Sequence, residues 1–149
     1  MKFLLPGSAL LVLLSSFAPA ADTNPESAIS TVLLQAEKSW DGATYTAYPS
    51  GQPEMTLLKI KIPSHTTLPW HTHPMPNVAY VVSGTLEVEN ADGSQHRTIS
   101  AGEVLPEMVN GVHRGKTGDT AAELLVFYAG ADGQSTAIPA AAPVPEPAP

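Results

Sequence analysis

Short apolar runs separated by turn residues fill the body of the chain. Residues 55–62 alternate towards their end, residues 78–82 are apolar and largely β-branched, and Asp92-Gly93 is a hairpin signal. No stretch keeps a 3.6-residue apolar period over three turns, and the one helix candidate, residues 28–38, contains β-branched residues that favour a strand equally. Eight to ten short strands at near-even spacing predict an antiparallel, all-β sandwich or barrel.

The two ends of the chain differ from this body in composition. A lysine at position 2, the mostly apolar residues 3–17 and a small-residue cleavage site at residues 18–20 are typical of a bacterial secretory signal peptide. The apolar run is too short and too interrupted for a membrane helix, so we expect residues 1–20 to be removed. The mature protein is then expected to be periplasmic or secreted, with no stable membrane span. Residues 137–149 hold five prolines and five alanines, which predicts a disordered tail.

Composition narrows what the remaining domain, residues 21–136, can do. The whole chain has 7 basic and 14 acidic residues and a net charge of −7, which argues against a nucleic-acid partner because such binding depends on clustered Lys and Arg. The absence of cysteine excludes a disulfide framework, a thiolate metal site and a cysteine nucleophile. Histidine is therefore the main candidate for a metal ligand.

Two of the five histidines are spaced so that they share one face of a strand. His71 and His73 are two residues apart, which places two imidazoles side by side on a strand. Neutral imidazole is a common ligand of zinc, copper, iron and nickel. Three prolines restrict the backbone around the pair: Pro69, Pro74 and Pro76. Taken alone, the pair predicts half of a metal site, and a solvated loop with two incidental histidines is an equally good interpretation.

A third histidine belongs to a longer pattern. The chain reads His65-x5-His71-x-His73-x3-Asn77-x6-Gly84 and, further on, Gly102-x5-Met108-x-Asn110-x2-His113-x3-Thr117. These spacings resemble the two motifs of the cupin family, G-x5-H-x-H-x3/4-E-x6-G and G-x5-P-x-G-x2-H-x3-N. The resemblance keeps all three histidines and both turn glycines. It implies a single antiparallel cupin barrel, which is a double-stranded β-helix or jelly roll.

The resemblance also implies one divalent metal ion (iron, manganese, zinc, nickel or copper) bound by His71, His73 and His113. Asn77 stands where the family has a glutamate ligand, so we expect it to be a neutral fourth ligand or a hydrogen-bond donor to the substrate. Three imidazoles and an amide leave the full +2 charge on the ion, which weakens metal binding and favours an anionic ligand. Similar three-histidine sites occur in cysteine dioxygenase-like and acetylacetone dioxygenase-like members, which use iron to activate oxygen.

Several residues near the motifs carry weaker predictions. Four motif positions differ from the family's Gly, Pro, Gly and Asn: His65, Met108, Asn110 and Thr117. We expect His65 and His96 to be exposed, and Phe127 and Tyr128 to lie in the core. Glu107 is expected to be a surface carboxylate on a loop, with a partner of the metal ligands or a general base as the alternative.

Three functional hypotheses follow from the sequence. The first is an exported metal-dependent enzyme of the dioxygenase, isomerase or lyase type that acts on a small molecule in a dry, apolar barrel. The second is a non-catalytic periplasmic module that binds or senses a small ligand. The third is a degenerate barrel whose histidines are only polar core residues. The family resemblance further implies a homodimer paired through sheet edges.

Overall fold

The structure is a computed structural model that describes residues 28–143. The described residues form nine strands and no helix. The strands are β1 (Pro53–Ile62), β2 (His71–Thr72), β3 (Asn77–Ser83), β4 (Thr85–Asn90), β5 (His96–Ser100), β6 (Val104–Pro106), β7 (His113–Lys116), β8 (Ala122–Ala131) and β9 (Ile138–Pro139). The predicted signal peptide, residues 1–20, lies outside the described residues. Within residues 28–143, no helix has the length and apolar character needed to cross a membrane.

The strands form two antiparallel sheets. One has the order β1-β8-β3-β6 and the other the order β5-β4-β7-β2-β9. Successive strands thus cross repeatedly between the sheets, as they do in a jelly roll, and the prediction of an all-β fold is confirmed. Residues 28–36, the start of the helix candidate, adopt neither a helix nor a strand.

The core lies between the two sheets and follows the period-two alternation of the strands. In β3, Ala79 and Val81 are buried while Tyr80 between them is only half-buried. The same alternation in β8 buries Tyr128 and leaves Phe127 40% exposed on the outer face. The core prediction is therefore right for Tyr128 and wrong for Phe127. Pleating explains the difference, because neighbouring residues on a strand point to opposite faces. The buried apolar cluster contains Ile62, Met75, Ala79, Val81, Leu86, Val88, Ile99, Leu105, Leu124, Val126 and Tyr128.

The prediction of a disordered tail from residue 137 is wrong for the first residues of that tail. Strand β9 pairs with β2, so that Pro139 lies opposite His71 and Ile138 opposite Thr72. The backbone amide of Ala140 also donates a hydrogen bond of 2.9 Å to the carbonyl of Trp70. Proline can join because an edge strand needs few of its own amide donors. Residues 144–149 lie outside the described residues.

Four motif positions have left-handed backbone. Gly84 and Gly102 have φ values of +78° and +88°. Among the described residues, the non-glycine residues with positive φ are His65 (+53°) and Asn110 (+60°), and both stand where the family motifs have glycine. The turns are thus retained although their residues differ, and asparagine is among the residues that adopt this region most readily.

Two alanine substitutions separate backbone strain from steric contact. Gly93 has φ +69° and open space around it, whereas a Cβ on Gly84 would lie 2.0 Å from the carbonyl oxygen of Ala121. Gly93→Ala is expected to lower the free energy of unfolding by about 1–2 kcal/mol, the cost of left-handed backbone. Gly84→Ala is expected to cost about 1–3 kcal/mol more because the turn must also move. Urea unfolding measures both values, and equal losses would contradict the close approach.

Candidate metal centre

The side chains of the three predicted histidines lie close together inside the barrel. His71 on β2 lies directly opposite His113 on β7, and His73 follows β2 after one intervening residue. One ring nitrogen from each of the three histidines lies within 4.8 Å of those of the other two. The ring centroids are 4.6 to 5.0 Å apart. Pairing of β2 with β7 therefore brings together residues that are forty positions apart in the sequence.

Each of these imidazoles is oriented by a backbone carbonyl. Nδ1 of each ring is hydrogen-bonded to a carbonyl oxygen: that of Pro69 for His71 (2.9 Å), of Thr136 for His73 (2.6 Å) and of Gly111 for His113 (2.9 Å). A carbonyl can only accept, so Nδ1 must hold the proton and Nε2 must hold the lone pair in each neutral ring. Proteins orient metal-binding histidines in the same way, by a hydrogen bond from the nitrogen that does not bind the metal.

Burial keeps two of the rings neutral. His73 and His113 are 4% and 2% exposed, whereas His71 is half-buried. Burial lowers the pKa of both His73 and His113 to about 4, against the opposite effect of their hydrogen bonds to backbone carbonyls. At neutral pH both rings are therefore uncharged, which is the protonation state that a metal ligand requires.

Glu107 is buried beside the histidines, and its prediction as a surface carboxylate is wrong. It is 8% exposed, and its Oε2 atom lies 3.4 Å from Nε2 of His113. Burial raises the pKa of its carboxyl to about 7. The alternative interpretation from the sequence, a carboxylate close to the metal ligands, matches this position. Sequence spacing does not reveal it, because the loop after β6 turns inward only in the folded barrel.

Asn77 begins β3 and is 2% exposed. Its side-chain amide donates a hydrogen bond of 3.1 Å to the carbonyl of Met75, and its Oδ1 atom has no hydrogen-bond partner in the described part of the chain. The residue lines a cavity of about 140 Å³ together with Tyr45 and Phe127. A metal-binding role for Asn77 stays a prediction.

The histidines open into a small cavity of about 60 Å³. Glu107 and Tyr128 are the further polar residues that line it, and the ring centroid of Tyr128 lies 5.5 Å from that of His73. Burial raises the pKa of Tyr128 to about 12, so its hydroxyl stays protonated. The remaining wall is largely aliphatic and consists of Ile60, Ile62, Leu68, Leu86, Val88, Gly115, Leu124 and Val126. A polar centre thus lies within an apolar barrel.

The other two histidines lie away from this centre, as predicted. The side chains of His65 and His96 are 71% and 52% exposed. His65 lines a wider groove of about 580 Å³ that also includes Thr85 and Lys116. That groove contains none of the three converging histidines. The larger hollow is therefore separate from the candidate metal centre.

Thr136 is a residue of the site that sequence reasoning missed. Its carbonyl oxygen accepts a hydrogen bond from Nδ1 of His73. The next strand, β9, pairs with β2, which contains His71. The segment 136–140 therefore supports both members of the H-x-H pair. Every residue has a backbone carbonyl, so the identity of residue 136 does not indicate this role.

The comparisons with known proteins agree with this architecture. Residues 58–128 match the family model of the cupin domain. Over this segment the chain is similar to the cupin domain, and its all-β fold is a cupin fold. No curated protein matches the chain.

Solved structures similar to this chain come from several bacteria. The DMSP lyase DddQ from Ruegeria pomeroyi DSS-3 aligns with a TM-score of 0.51 and 18% identity, over 65% of this chain and 46% of that one. A cupin-like protein from Thermotoga maritima aligns with a TM-score of 0.50 and 16% identity, over 59% and 65% of the two chains. A protein from Neisseria meningitidis is 25% identical with a TM-score of 0.45, over 57% and 88%. The chain thus matches less than half the length of the DMSP lyase.

Proposed function

We propose that the protein binds one divalent metal ion through His71, His73 and His113 and uses it as an exported enzyme on a small organic molecule. The reaction class is of the dioxygenase, isomerase or lyase type. The single observation that supports this proposal most strongly is the shared orientation of the three rings. Each ring donates its Nδ1 proton to the backbone, which leaves three Nε2 lone pairs inside one barrel.

The alternative that the histidines are only polar core residues fits this arrangement poorly. Buried polar atoms normally have a hydrogen-bond partner, because an unpaired one costs about 1–3 kcal/mol. The Nε2 atom of His113 is buried and has none among the described residues. A bound cation would satisfy that lone pair, whereas a purely structural histidine would need a proton held by Glu107, 3.4 Å away.

A bound divalent ion would supply Lewis acidity, polarising an oxygen of the ligand or lowering the pKa of bound water. The chain's own residues would do the rest. The histidines hold the ion, and the aliphatic wall excludes water, which strengthens every electrostatic interaction at the centre. The cavity of about 60 Å³ admits only a small ligand or the reacting end of a larger one.

Metal binding is the first prediction. Alanine at any one of the three ligand positions is expected to weaken metal binding by more than about 10-fold (His71→Ala, His73→Ala and His113→Ala). Substitution of a residue that only orients a ligand already has an effect of this size, so the loss of a ligand itself should cost more. His65→Ala is the matched control, since its side chain is 71% exposed and lies away from the centre. Elemental analysis after reconstitution and dialysis is expected to find one ion per wild-type chain. Equal metal content in all five proteins would refute the site.

Turnover distinguishes an enzyme from a binding module. Reconstituted protein is expected to convert a member of a panel of diketones, thiols and phenolic acids, measured by oxygen uptake and by chromatography of the products. A chelator should abolish the conversion, and the metal should restore it. A ligand that raises the melting temperature of the metal-loaded protein without being converted would instead favour a non-catalytic binding or sensing module.

Export is a separate part of the proposal and has its own measurement. The chain expressed in a bacterium with an outer membrane is expected in the periplasmic fraction or the medium. Its intact mass should correspond to a mature chain that begins at Ala21, as cleavage after residue 20 requires. An unprocessed chain that stays in the cytoplasm would contradict the signal-peptide interpretation.

A further inference from the structure

The carboxylate that the cupin motif lacks at Asn77 is present elsewhere in the barrel. We propose that Glu107, from the loop after β6, is the fourth ligand of the metal and takes the role of the missing glutamate. The inference rests on the proposed function, because it assumes that the three histidines bind a metal. It adds a ligand from a different strand and a different motif.

The first support is a close contact between two buried polar atoms. Oε2 of Glu107 and Nε2 of His113 are 3.4 Å apart, and neither has a hydrogen-bond partner within residues 28–143. His113 donates its Nδ1 proton to the carbonyl of Gly111, so Nε2 presents a lone pair. An ionised carboxylate also presents lone pairs. Two lone pairs that face each other in an apolar barrel require a cation between them, either a proton or a metal ion.

The second support is the distance itself. Two ligand atoms about 2.1 Å from a tetrahedral metal are separated by about 3.4 Å. The Glu107–His113 distance of 3.4 Å therefore already suits two atoms that share one ion. The nitrogens of the three histidines lie within 4.8 Å of one another, and binding would draw the Glu107 carboxylate from His113 towards their common centre.

The third support is the fixed position of the loop. The backbone amide of Glu107 donates to the carbonyl of Asn77 (3.0 Å), and its own carbonyl accepts from the hydroxyl of Tyr45 (2.7 Å). Further along, the amide of Asn110 donates to the carbonyl of His73 (2.8 Å). These bonds attach the loop to β3 and to the H-x-H segment. The carboxylate is thus held in place before any ion binds, which lowers the ordering cost of binding.

Asn77 is less suited to the role. Its amide nitrogen already donates a hydrogen bond to the carbonyl of Met75, and Asn77 is not among the residues that line the histidine cavity. The charge of the centre also changes. A carboxylate ligand reduces the net charge of the ion and its ligands from +2 to +1, so the site selects anionic ligands less strongly than three histidines and an amide would.

The test measures Zn²⁺ affinity by chelator competition in the full chain and in three variants. Glu107→Gln keeps the shape and removes the charge, and it is expected to weaken binding by at least about 10-fold. Asn77→Ala should change affinity much less. Glu54→Gln is the charge control, because Glu54 is an exposed acidic residue on β1 that lies outside the lining of the histidine cavity. The Co²⁺ absorption spectrum should also change in Glu107→Gln, because a direct ligand sets the ligand field.

The outcomes separate this inference from the proposed function. Wild-type protein that binds no Zn²⁺ refutes both. Binding in wild type with an unchanged affinity and Co²⁺ spectrum in Glu107→Gln overturns the inference alone. A loss equal to that of Glu54→Gln also overturns it. Should Glu107→Gln fail to fold, Glu107→Asp keeps the charge but shortens the side chain, and it is expected to weaken binding and alter the spectrum. Unaltered values in Glu107→Asp would then overturn the inference.

Discussion

Hydrogen bonds from imidazole Nδ1 atoms to backbone carbonyls are the constraint on which the candidate site depends. Three such bonds, of 2.6 to 2.9 Å, fix the tautomer and the direction of three rings in an apolar barrel. Their acceptors come from three different places: the segment before β2, the loop before β7 and the segment before β9. The site therefore exists only when β7, β2 and β9, which are neighbours in one sheet, are in register. The fold determines the chemistry through backbone geometry more than through the choice of neighbouring side chains.

The sequence predicts the parts of this arrangement that depend on side-chain periodicity. The i, i+2 spacing of His71 and His73 and the alternation in β1, β3 and β8 follow from the pleat of a strand and are visible without a structure. The short strands β2, β6, β7 and β9 are not. They contain two to four residues each, with proline, histidine and glycine among them, so no periodic pattern can form. Long-range pairing, and not local propensity, makes these residues strands.

Glu107 and Thr136 show two further limits of sequence reasoning. Glu107 follows Pro106 in the loop after β6, a setting that normally exposes a carboxylate, and hydrogen bonds of its backbone hold it towards the barrel. Thr136 acts through its carbonyl, so its side chain is irrelevant. Where the chain departs from the family pattern, backbone conformation is still retained. His65 and Asn110 adopt the left-handed angles of the glycines they replace, and the Oγ1 of Thr117 ties the end of β7 to Thr66.

The central claim is that three converging imidazoles bind an ion through their Nε2 atoms. Crystals of the mature protein grown with Zn²⁺ and measured on both sides of the zinc absorption edge test it directly, because anomalous scattering locates zinc without reference to the chain. The account predicts one strong anomalous peak inside the barrel, about 2.0–2.1 Å from Nε2 of His71, His73 and His113, with each Nδ1 still bonded to its carbonyl. An absent peak, a peak at the exposed histidines alone, or binding through Nδ1 would contradict it.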